Sequence, residues 1–465
     1  MNLYNTLTRK IEEFTPLEDK KVKIYTCGLT VYSQPHIGNW VAYIYWDILT
    51  RALQASGYDV ERVQNITDVG HLTSDEDAGE DKMLKGALKE GKTAWEVAEK
   101  YIKVADHNAF DLLGLLRPEH MPCATDYIQQ QIDFVKILEE KGYTYVIDDG
   151  VYFDTSKLEN YGKLARLDIS GLQFGARVED TGKKNPTDFA VWKFSNPDEK
   201  RDMEWNSPWG IGFPGWHLEC SVMAREILGD QIDIHTGGID HIPVHHTNEI
   251  AQTEAISAKK FSNFWVHANH IKVDGTKMSK SLGNIYTLQD ILDKGYDIEA
   301  FKLLVLSKHY RTEGNFTWEI LDDAQNVFNK FNAWSYLQFQ NLKSERLVNN
   351  FSGNDGAIAS LKRSVLNDLD TPGALAFIHG MVSRTEKLGA DSQSIAEATR
   401  VIEELLGIRL AKEGDITLEQ KQLIKNREAA REAKSWAKSD ELRDELLKQS
   451  IEVKDTPNGT IWSKI

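Results

Sequence analysis

Within the run VHHTNE, His245 and Glu249 stand four residues apart, a spacing that puts both side chains on one face of a helix, where they can share a ligand. Imidazole and carboxylate are both metal donors. Two cysteines, Cys27 in YTCG and Cys220 in GWHLEC, would complete a set of donor types that zinc accepts. Seven of the 13 histidines fall between His217 and His270, which fits a concentrated site. The order HExxH is absent, so zincin-type peptide hydrolysis is not indicated. His246, three residues from Glu249, competes with His245 as ligand, or else supports the site. Spacing alone does not bring Cys27 beside Cys220, and both thiols read equally well as small buried hydrophobes. Cys123 is read as structural.

A second set of residues suits a phosphate chain. In PHIGN, Pro35 stiffens the loop entry, Gly38 lets backbone approach a ligand, and the helix start beyond offers unpaired N–H groups. His36 can donate to a phosphate oxygen. In KMSKSLGN, Lys277 and Lys280 flank Met278 and Ser279. Two ammonium groups in a short polar loop can neutralise the charge that builds as a triphosphate's α-phosphorus is attacked. Such a loop can close on its ligand and reopen. Gly237, Gly238 and Asp240 end another predicted strand, where an acid after glycines can take ribose hydroxyls. Taken singly, each of these is equally the sequence of a solvated basic loop or an ordinary turn.

The elements around them form a pattern. KVKIYTCGLTVY (21–32) is β-branched and aromatic, as a buried strand should be. WVAYIYWDILTRALQASGY reads as an apolar-faced helix ending before Gly57, and DVERVQNIT resumes as a strand. Strand, glycine loop, helix, strand opens a nucleotide-binding parallel sheet. Residues 76–116 and 126–141 read as helical, and 142–195 as a strand- and turn-rich insertion. QIDIHTGGID (231–240) is a strand, 242–260 a helix, and 265–284 a strand or hairpin running into a polar loop. Helical periodicity takes over from Leu288, with a polar linker at 343–356. The end reads as two charged helices, a strand-like IEVKDT, a PNG turn and TIWSKI.

At 465 residues the chain needs several domains, and 41% hydrophobic residues suffice for large cores. No apolar run is long enough for a membrane helix, and the start has no secretory h-region. Three cysteines exclude a disulfide framework and point to a reducing, cytoplasmic setting. The net charge of -16 argues only weakly against nucleic acid, because residues 421–465 carry 10 Lys and Arg against 8 Asp and Glu.

In order along the chain, these pieces resemble the cysteinyl-tRNA synthetases, a class I family, over nearly the whole length. PHIGN stands for the family's HIGH signature. NITD (65–68), GARV (175–178), NPTDFAVWK (185–193), SPWG (207–210), PGWHLECS (214–221), HHTNEIAQ (245–252), KMSKSLGN (277–284), HYR (309–311) and LDTP (369–372) follow in the expected sequence. The resemblance implies a Rossmann-like α/β catalytic domain over 1–285, holding the connective insertion at about 142–195. A stem-contact region at 286–342, a helical bundle at 343–412 and an anticodon-binding domain at 413–465 would follow. It implies one zinc ion on Cys27, Cys220, His245 and Glu249, bound directly to the substrate's thiolate. Thr67 and Trp216 would form the cysteine pocket, with His217 beside it. His36, Gly38 and Asn39 would meet the ATP phosphates, Gly237 and Asp240 the ribose, and Lys277, Met278 and Lys280 the activating transition state. Magnesium would accompany ATP, tRNA(Cys) would accept the cysteine, and the protein would be a monomer without an editing domain.

Some positions depart from the family pattern. Asn39 replaces the second signature histidine, Thr236 a glycine, and Thr247 a glutamate. VGHLTSDEDAGEDKM replaces the usual stretch after NIT, placing His71 and several acids near the expected rim. A cysteine ligase acting on an amino sugar would share the zinc site and ATP loops; the C-terminal module at 419–465 favours tRNA instead. A non-catalytic RNA-binding relative should lack a zinc ligand or a lysine of the 277–281 loop, and none is missing.

Overall fold

The computed structural model describes residues 1–70, 82–167, 182–196, 201–279, 282–340, 351–353, 356–388, 390–456 and 459–465. The expected opening unit forms as strand β1 (Lys21–Thr26), helix α1 (Ile37–Ala55) and strand β2 (Asp59–Gln64). β2 lies parallel to β1, from Lys21 opposite Asp59 to Thr26 opposite Gln64. Past the end of α1, Gly57 takes φ +88°, a left-handed turn that costs glycine no Cβ clash. Later come α2 (Trp216–Leu228), β3 (Ile232–Gly238), α3 (His245–Ser257) and β4 (Ser262–Ala268). The sheet order is β4-β3-β1-β2, all parallel. The chain leaves β1 toward β2 and later returns to its other side, so the order reverses between β1 and β3. The carboxyl ends of the strands open a ligand crevice at such a reversal. Cys27 and Gly237–Gly238 lie there, and Cys27 N donates to Thr236 O at 3.3 Å.

The insertion is a five-stranded antiparallel sheet, ordered Thr144–Ile147, Gly150–Phe153, Phe189–Phe194, Gly210–Pro214 and Trp205–Ser207. It therefore takes in two strands beyond residue 195. These were hidden by WNSPWGIGFP, whose glycines and prolines read as turn. A Cβ on Gly215 would fall 2.0 Å from Ala190 O; only glycine lets the last strand turn tightly into α2. GARV and His71 lie outside the described residues.

Three other readings are refined. The helix expected at 242–260 spans His245–Ser257, preceded by a short 3₁₀ turn at Ile239–His241. Of residues 265–284, read as a strand or hairpin, the first part is strand β4 in the main sheet, and Ile271–Val273 pairs in parallel with Gly314–Phe316. Val273 and Thr276 exchange two backbone hydrogen bonds, both 2.9 Å, across a tight antiparallel turn that leads into the loop. Of the 76–116 reading, 76–81 lie outside the described residues; the rest resolves into helices Lys82–Glu90 and Ala94–Asp106, then a π-helical turn at His107–Leu112.

α1 is apolar almost all round because it is covered twice, by the sheet and by helices Ile298–Leu306 and Ser392–Leu406. Tyr45 OH donates to the carbonyls of Val305 (2.7 Å) and Lys308 (2.8 Å). Arg51 reaches Glu403 O at 3.0 Å. Lys302, fully buried, donates to the carbonyls of Leu113 and Gly407 and pairs with Glu299 at 3.1 Å. One continuous hydrophobic core thus runs from the sheet through the helices up to Leu410. No helix among the described residues is long and apolar enough to cross a membrane.

The last residues form helices Leu418–Glu432 and Trp436–Lys448 and an antiparallel pair, Ile451–Thr456 with Gly459–Lys464. Their core is separate: Ile424, Leu446, Ile451, Val453 and Trp462, closed by Tyr336. The Arg427 guanidinium meets both Asp455 oxygens at 2.8 Å. That pairing, with help from Thr460 and Arg431, holds the Asp455 carboxyl down at about 2 against the opposite pull of burial. A depressed folded-state pKa gives stability that is present above the ordinary carboxyl range and lost as pH falls toward 2. Arg427→Ala should cost about 1 kcal/mol, modest for a charged pair because Asp455 is 34% exposed and solvent screens it. Trp462 fluorescence followed through an acid titration would check this, the variant losing its signal at higher pH than the parent.

Candidate active site with a metal cluster

Three elements supply the cluster: the end of β1 brings Cys27, α2 brings Cys220, and the first turns of α3 bring His245 and Glu249. All four are buried, and one donor atom from each lies within 4.8 Å of the others. The helical spacing seen in the sequence closes as expected, with His245 Nε2 3.0 Å from Glu249 Oε1. Cys27 Sγ is 3.8 Å from the same oxygen. A second group, Cys27, His235, His246 and Glu249, overlaps the first. In it His235 Nε2 takes the other carboxylate oxygen, Oε2, at 2.8 Å. His246 Nε2 lies 3.3 Å from Cys27 Sγ, and its Nδ1 continues to His267 Nε2 (2.8 Å) and thence to Thr6 Oγ1 (2.8 Å).

The electrostatics separate these roles. Burial pushes the Cys27 thiol well up, and its shared hydrogen bond with Cys220 adds to this. The same bond draws Cys220 down to about 7, with His245 assisting. Burial opposes charge on His245, but the Glu249 carboxylate and Cys220 hold it up at about 10. His235 and His245 overcome burial at Glu249 and keep it ionised. His246 and His267 are pushed well down by burial and by neighbouring imidazoles, so both stay neutral. Two sulfurs, an imidazole and a carboxylate, closely spaced, buried and partly charged, are a donor set that fits zinc. His235 and the His246–His267–Thr6 chain brace that set from behind.

Trp216 stacks on His245 with ring centroids 4.4 Å apart, and His217 Nδ1 lies 3.0 Å from His245 Nδ1. Thr67 reaches the cluster through Asn65, which sequence reasoning did not single out. Asn65 Nδ2 donates to Thr67 Oγ1 (3.0 Å), while Oδ1 accepts from Gly28 N (2.8 Å) and faces Cys220 Sγ at 3.8 Å. A Cβ on Gly28 would sit 1.4 Å from Asn65 O. Gly28→Ala should therefore displace the bracket, costing about 1–3 kcal/mol as overpacking does and lowering retained zinc. A thermal midpoint and a metal assay on one preparation would check both effects.

The two loops read in the sequence as suited to a phosphate chain meet at the start of α1. His36 is its N-cap, and Asn39 Oδ1 accepts from His36 N at 3.0 Å. Asparagine in place of histidine thus completes a capping box, leaving Nδ2 as the end that can donate to a phosphate. A Cβ on Gly38 would fall 2.1 Å from Met278 Cε, and Ile37 N donates to Tyr286 O at 2.8 Å. The 277 loop is thereby seated on the helix start. Asn284, also missed, shapes that loop: Oδ1 accepts from Ser279 N (2.8 Å) and Nδ2 donates to Thr276 Oγ1 (3.2 Å). Lys277 is exposed; Lys280 lies outside the described residues. A Cβ on Gly237 would fall 2.5 Å from His246 Cε1 and 2.7 Å from His241 Nδ1, so glycine there keeps β3 against the histidines. Asp240 is exposed at the crevice with His270 Nε2 3.8 Å from its Oδ1.

A parallel sheet with a donor cluster fit for zinc and glycine-containing loops at one reversal point, followed by a helical region and a small terminal unit, is the build of a class I aminoacyl-tRNA synthetase. The family description "tRNA synthetases class I (C) catalytic domain" matches residues 13–326, and "Cysteinyl-tRNA ligase anticodon binding domain" matches residues 413–462. The chain belongs to the cysteine–tRNA ligase family. It is 44% identical over 464 residues to Cysteine--tRNA ligase 1 of Burkholderia lata, covering 98% of this chain and 95% of that one. Cysteine--tRNA ligase of Treponema denticola is 39% identical over 498 residues, covering 100% of each. Among solved structures, Mycobacterium tuberculosis methionyl-tRNA synthetase bound by methionyl-adenylate shares the fold. It has a TM-score of 0.57 at 14% identity and covers 83% of this chain and 92% of that one.

Proposed function

We propose that Cys27, Cys220, His245 and Glu249 form the zinc site through which this cysteine–tRNA ligase selects its amino acid. The observation that carries the choice of ligands is the orientation of Glu249: Oε1 faces His245 and Cys27, whereas Oε2 is taken by His235. Zinc held there would bind the thiolate of cysteine and favour sulfur over the hydroxyl of serine. A discrimination of about 10⁴, roughly 5.5 kcal/mol, would then need no editing site.

The chain's residues do the rest by positioning and charge. Trp216, His217 and Thr67 wall the amino-acid pocket and hold its carboxylate toward the helix start. The α-phosphate of ATP lies over Gly38, where His36 and Asn39 Nδ2 donate to phosphate oxygens and the N–H groups of α1 face them. Gly237 and Asp240 take the ribose, with magnesium accompanying the triphosphate. As the cysteine carboxylate attacks the α-phosphorus and the bond to pyrophosphate breaks, Lys277 and Lys280 neutralise the growing charge. The terminal adenosine hydroxyl of tRNA(Cys) then attacks the adenylate carbonyl and AMP leaves. No side chain acts as a covalent catalyst.

Residues 1–285 make up the proposed catalytic domain, 286–342 contact the acceptor stem, 343–412 form the bundle and 413–465 read the anticodon. We place the protein in the cytosol as a monomer. The test is exchange of pyrophosphate into ATP, run with cysteine and with serine, before and after chelation. Exchange with cysteine alone, lost on chelation, is expected. Exchange that survives complete zinc removal would overturn the metal's role.

A further inference from the structure

Asp368 gathers three parts of the chain on one buried carboxylate. Oδ1 accepts from Tyr4 N (2.8 Å) and from the Tyr310 hydroxyl (2.7 Å). Oδ2 accepts from Arg311 Nε (3.0 Å) and Nη2 (2.6 Å). Its backbone is tied as well: the carbonyl accepts from His309 Nε2 at 2.9 Å, and the N–H donates to Asn2 O at 2.9 Å. Asp368 and Leu369 both take positive φ, +58° and +53°. Two adjacent non-glycine residues stay in that region only where their surroundings over-determine them.

The partners of Asp368 lead to the nucleotide edge. Tyr310 O accepts from Asn269 N (2.8 Å), and Arg311 O accepts from Asn269 Nδ2 (3.2 Å). Gly314 N donates to His270 O at 2.8 Å. Asn269 and His270 link β4 to the strand Ile271–Val273, which a tight turn at 274–275 joins to the Lys277 loop. His270 in turn faces Asp240. Arg311 also lies over the Tyr4 ring at 4.5 Å, so the N-terminal strand closes the same knot. From the carboxylate to Asn269 and His270 the path runs through hydrogen bonds; from there it reaches Asp240 by the 3.8 Å approach of His270 and the Lys277 loop by the strand and the turn at Asp274–Gly275.

We propose that Asp368 is a positioning residue for ATP: through Tyr310 and Arg311 it fixes Asn269–His270, and with them the edge that Asp240 and the Lys277 loop present to the nucleotide. The helical region, which supplies Asp368, is thereby coupled to ATP affinity without touching ATP. This rests on the reading that Asp240 and Lys277 face ATP. Arg311 cannot be replaced by lysine without loss, since only the planar guanidinium donates twice to one carboxylate oxygen and keeps its plane over Tyr4.

The experiment is pyrophosphate exchange on full-length Asp368→Asn, Tyr310→Phe, Arg311→Lys and Asp240→Ala, with ATP and cysteine varied in turn and zinc content and thermal midpoint measured alongside. Asp368→Asn is expected to raise KM for ATP about tenfold, which is 1.4 kcal/mol, while KM for cysteine and zinc content stay at the parental values. Tyr310→Phe keeps the ring and loses one bond, so a rise of about threefold in the same pattern is expected. A merely structural role would lower the midpoint and kcat without separating the two KM values. Folded, zinc-loaded Asp368→Asn with a parental KM for ATP, beside an Asp240→Ala that raises it, overturns the inference alone. If neither variant moves KM for ATP, the nucleotide edge is elsewhere and the inference falls with it. Should Asp368→Asn fail to fold, the KM split in Tyr310→Phe and Arg311→Lys decides the matter.

Discussion

His245→Ala is expected to lose zinc and cysteine-dependent pyrophosphate exchange together, the exchange falling by about 10³ or more, or roughly 4 kcal/mol. The loss follows from what His245 holds. Its Nε2 faces Glu249 Oε1 at 3.0 Å, and Trp216 stacks on its ring. Removing the imidazole takes away one proposed zinc donor and the ring against which Trp216 stacks at once. The fold should survive, because Glu249 keeps His235 at 2.8 Å and the His246–His267–Thr6 chain is intact, although His217 loses its contact with His245. Circular dichroism and a zinc assay on the same sample separate the outcomes. A variant with full zinc and normal exchange would shift the assignment to the overlapping group of Cys27, His235, His246 and Glu249.

Lys277→Ala should leave zinc untouched and slow adenylate formation about 10²–10³-fold, the usual cost of losing one preorganised group at a developing charge, roughly 2.7–4 kcal/mol. Lys277 is exposed on a loop whose shape is set from below by Asn284 and which rests on Gly38 through Met278. The side chain therefore contributes little to folding and can be removed cleanly. A single-turnover measurement of adenylate formation, with ATP varied, is the check. A fall in kcat with KM unchanged marks an interaction made only in the transition state, whereas a change in KM alone would mark one made equally with bound ATP.

Local pattern made part of this architecture legible in the sequence. The unit β1–α1–β2 could be read because a β-branched strand, a glycine loop and an apolar helix carry their own periodicities. The pairing of His245 with Glu249 could be read because four residues is a helical repeat. Whether Cys27 meets Cys220 could not be read, since that depends on β3 returning beside β1, a matter of sheet order and not of spacing. His235 was passed over for the same reason: its partner Glu249 comes from a helix that begins after the strand has ended. The strands Trp205–Ser207 and Gly210–Pro214 were missed because glycine and proline mark turns more strongly than strands. Asn65 and Asn284 act by bridging backbone to side chain, and nothing in periodicity marks an asparagine for that work.

The double covering of α1 has a consequence for how the molecule comes apart. The helices that pack on its outer face are part of the same core as the sheet, and Lys302 and Arg51 tie them to it through bonds to backbone carbonyls, that of Lys302 buried. The last fifty or so residues instead carry a small core of their own, joined by Tyr336 and by Gln340, which exchanges two hydrogen bonds with the Trp462 backbone. Melting should therefore proceed as two cooperative steps of very unequal size, the minor one first. For anyone recombining such enzymes, the tail is an exchangeable cassette, whereas a crossover between the sheet and the helices that cover α1 would cut through a single folding unit.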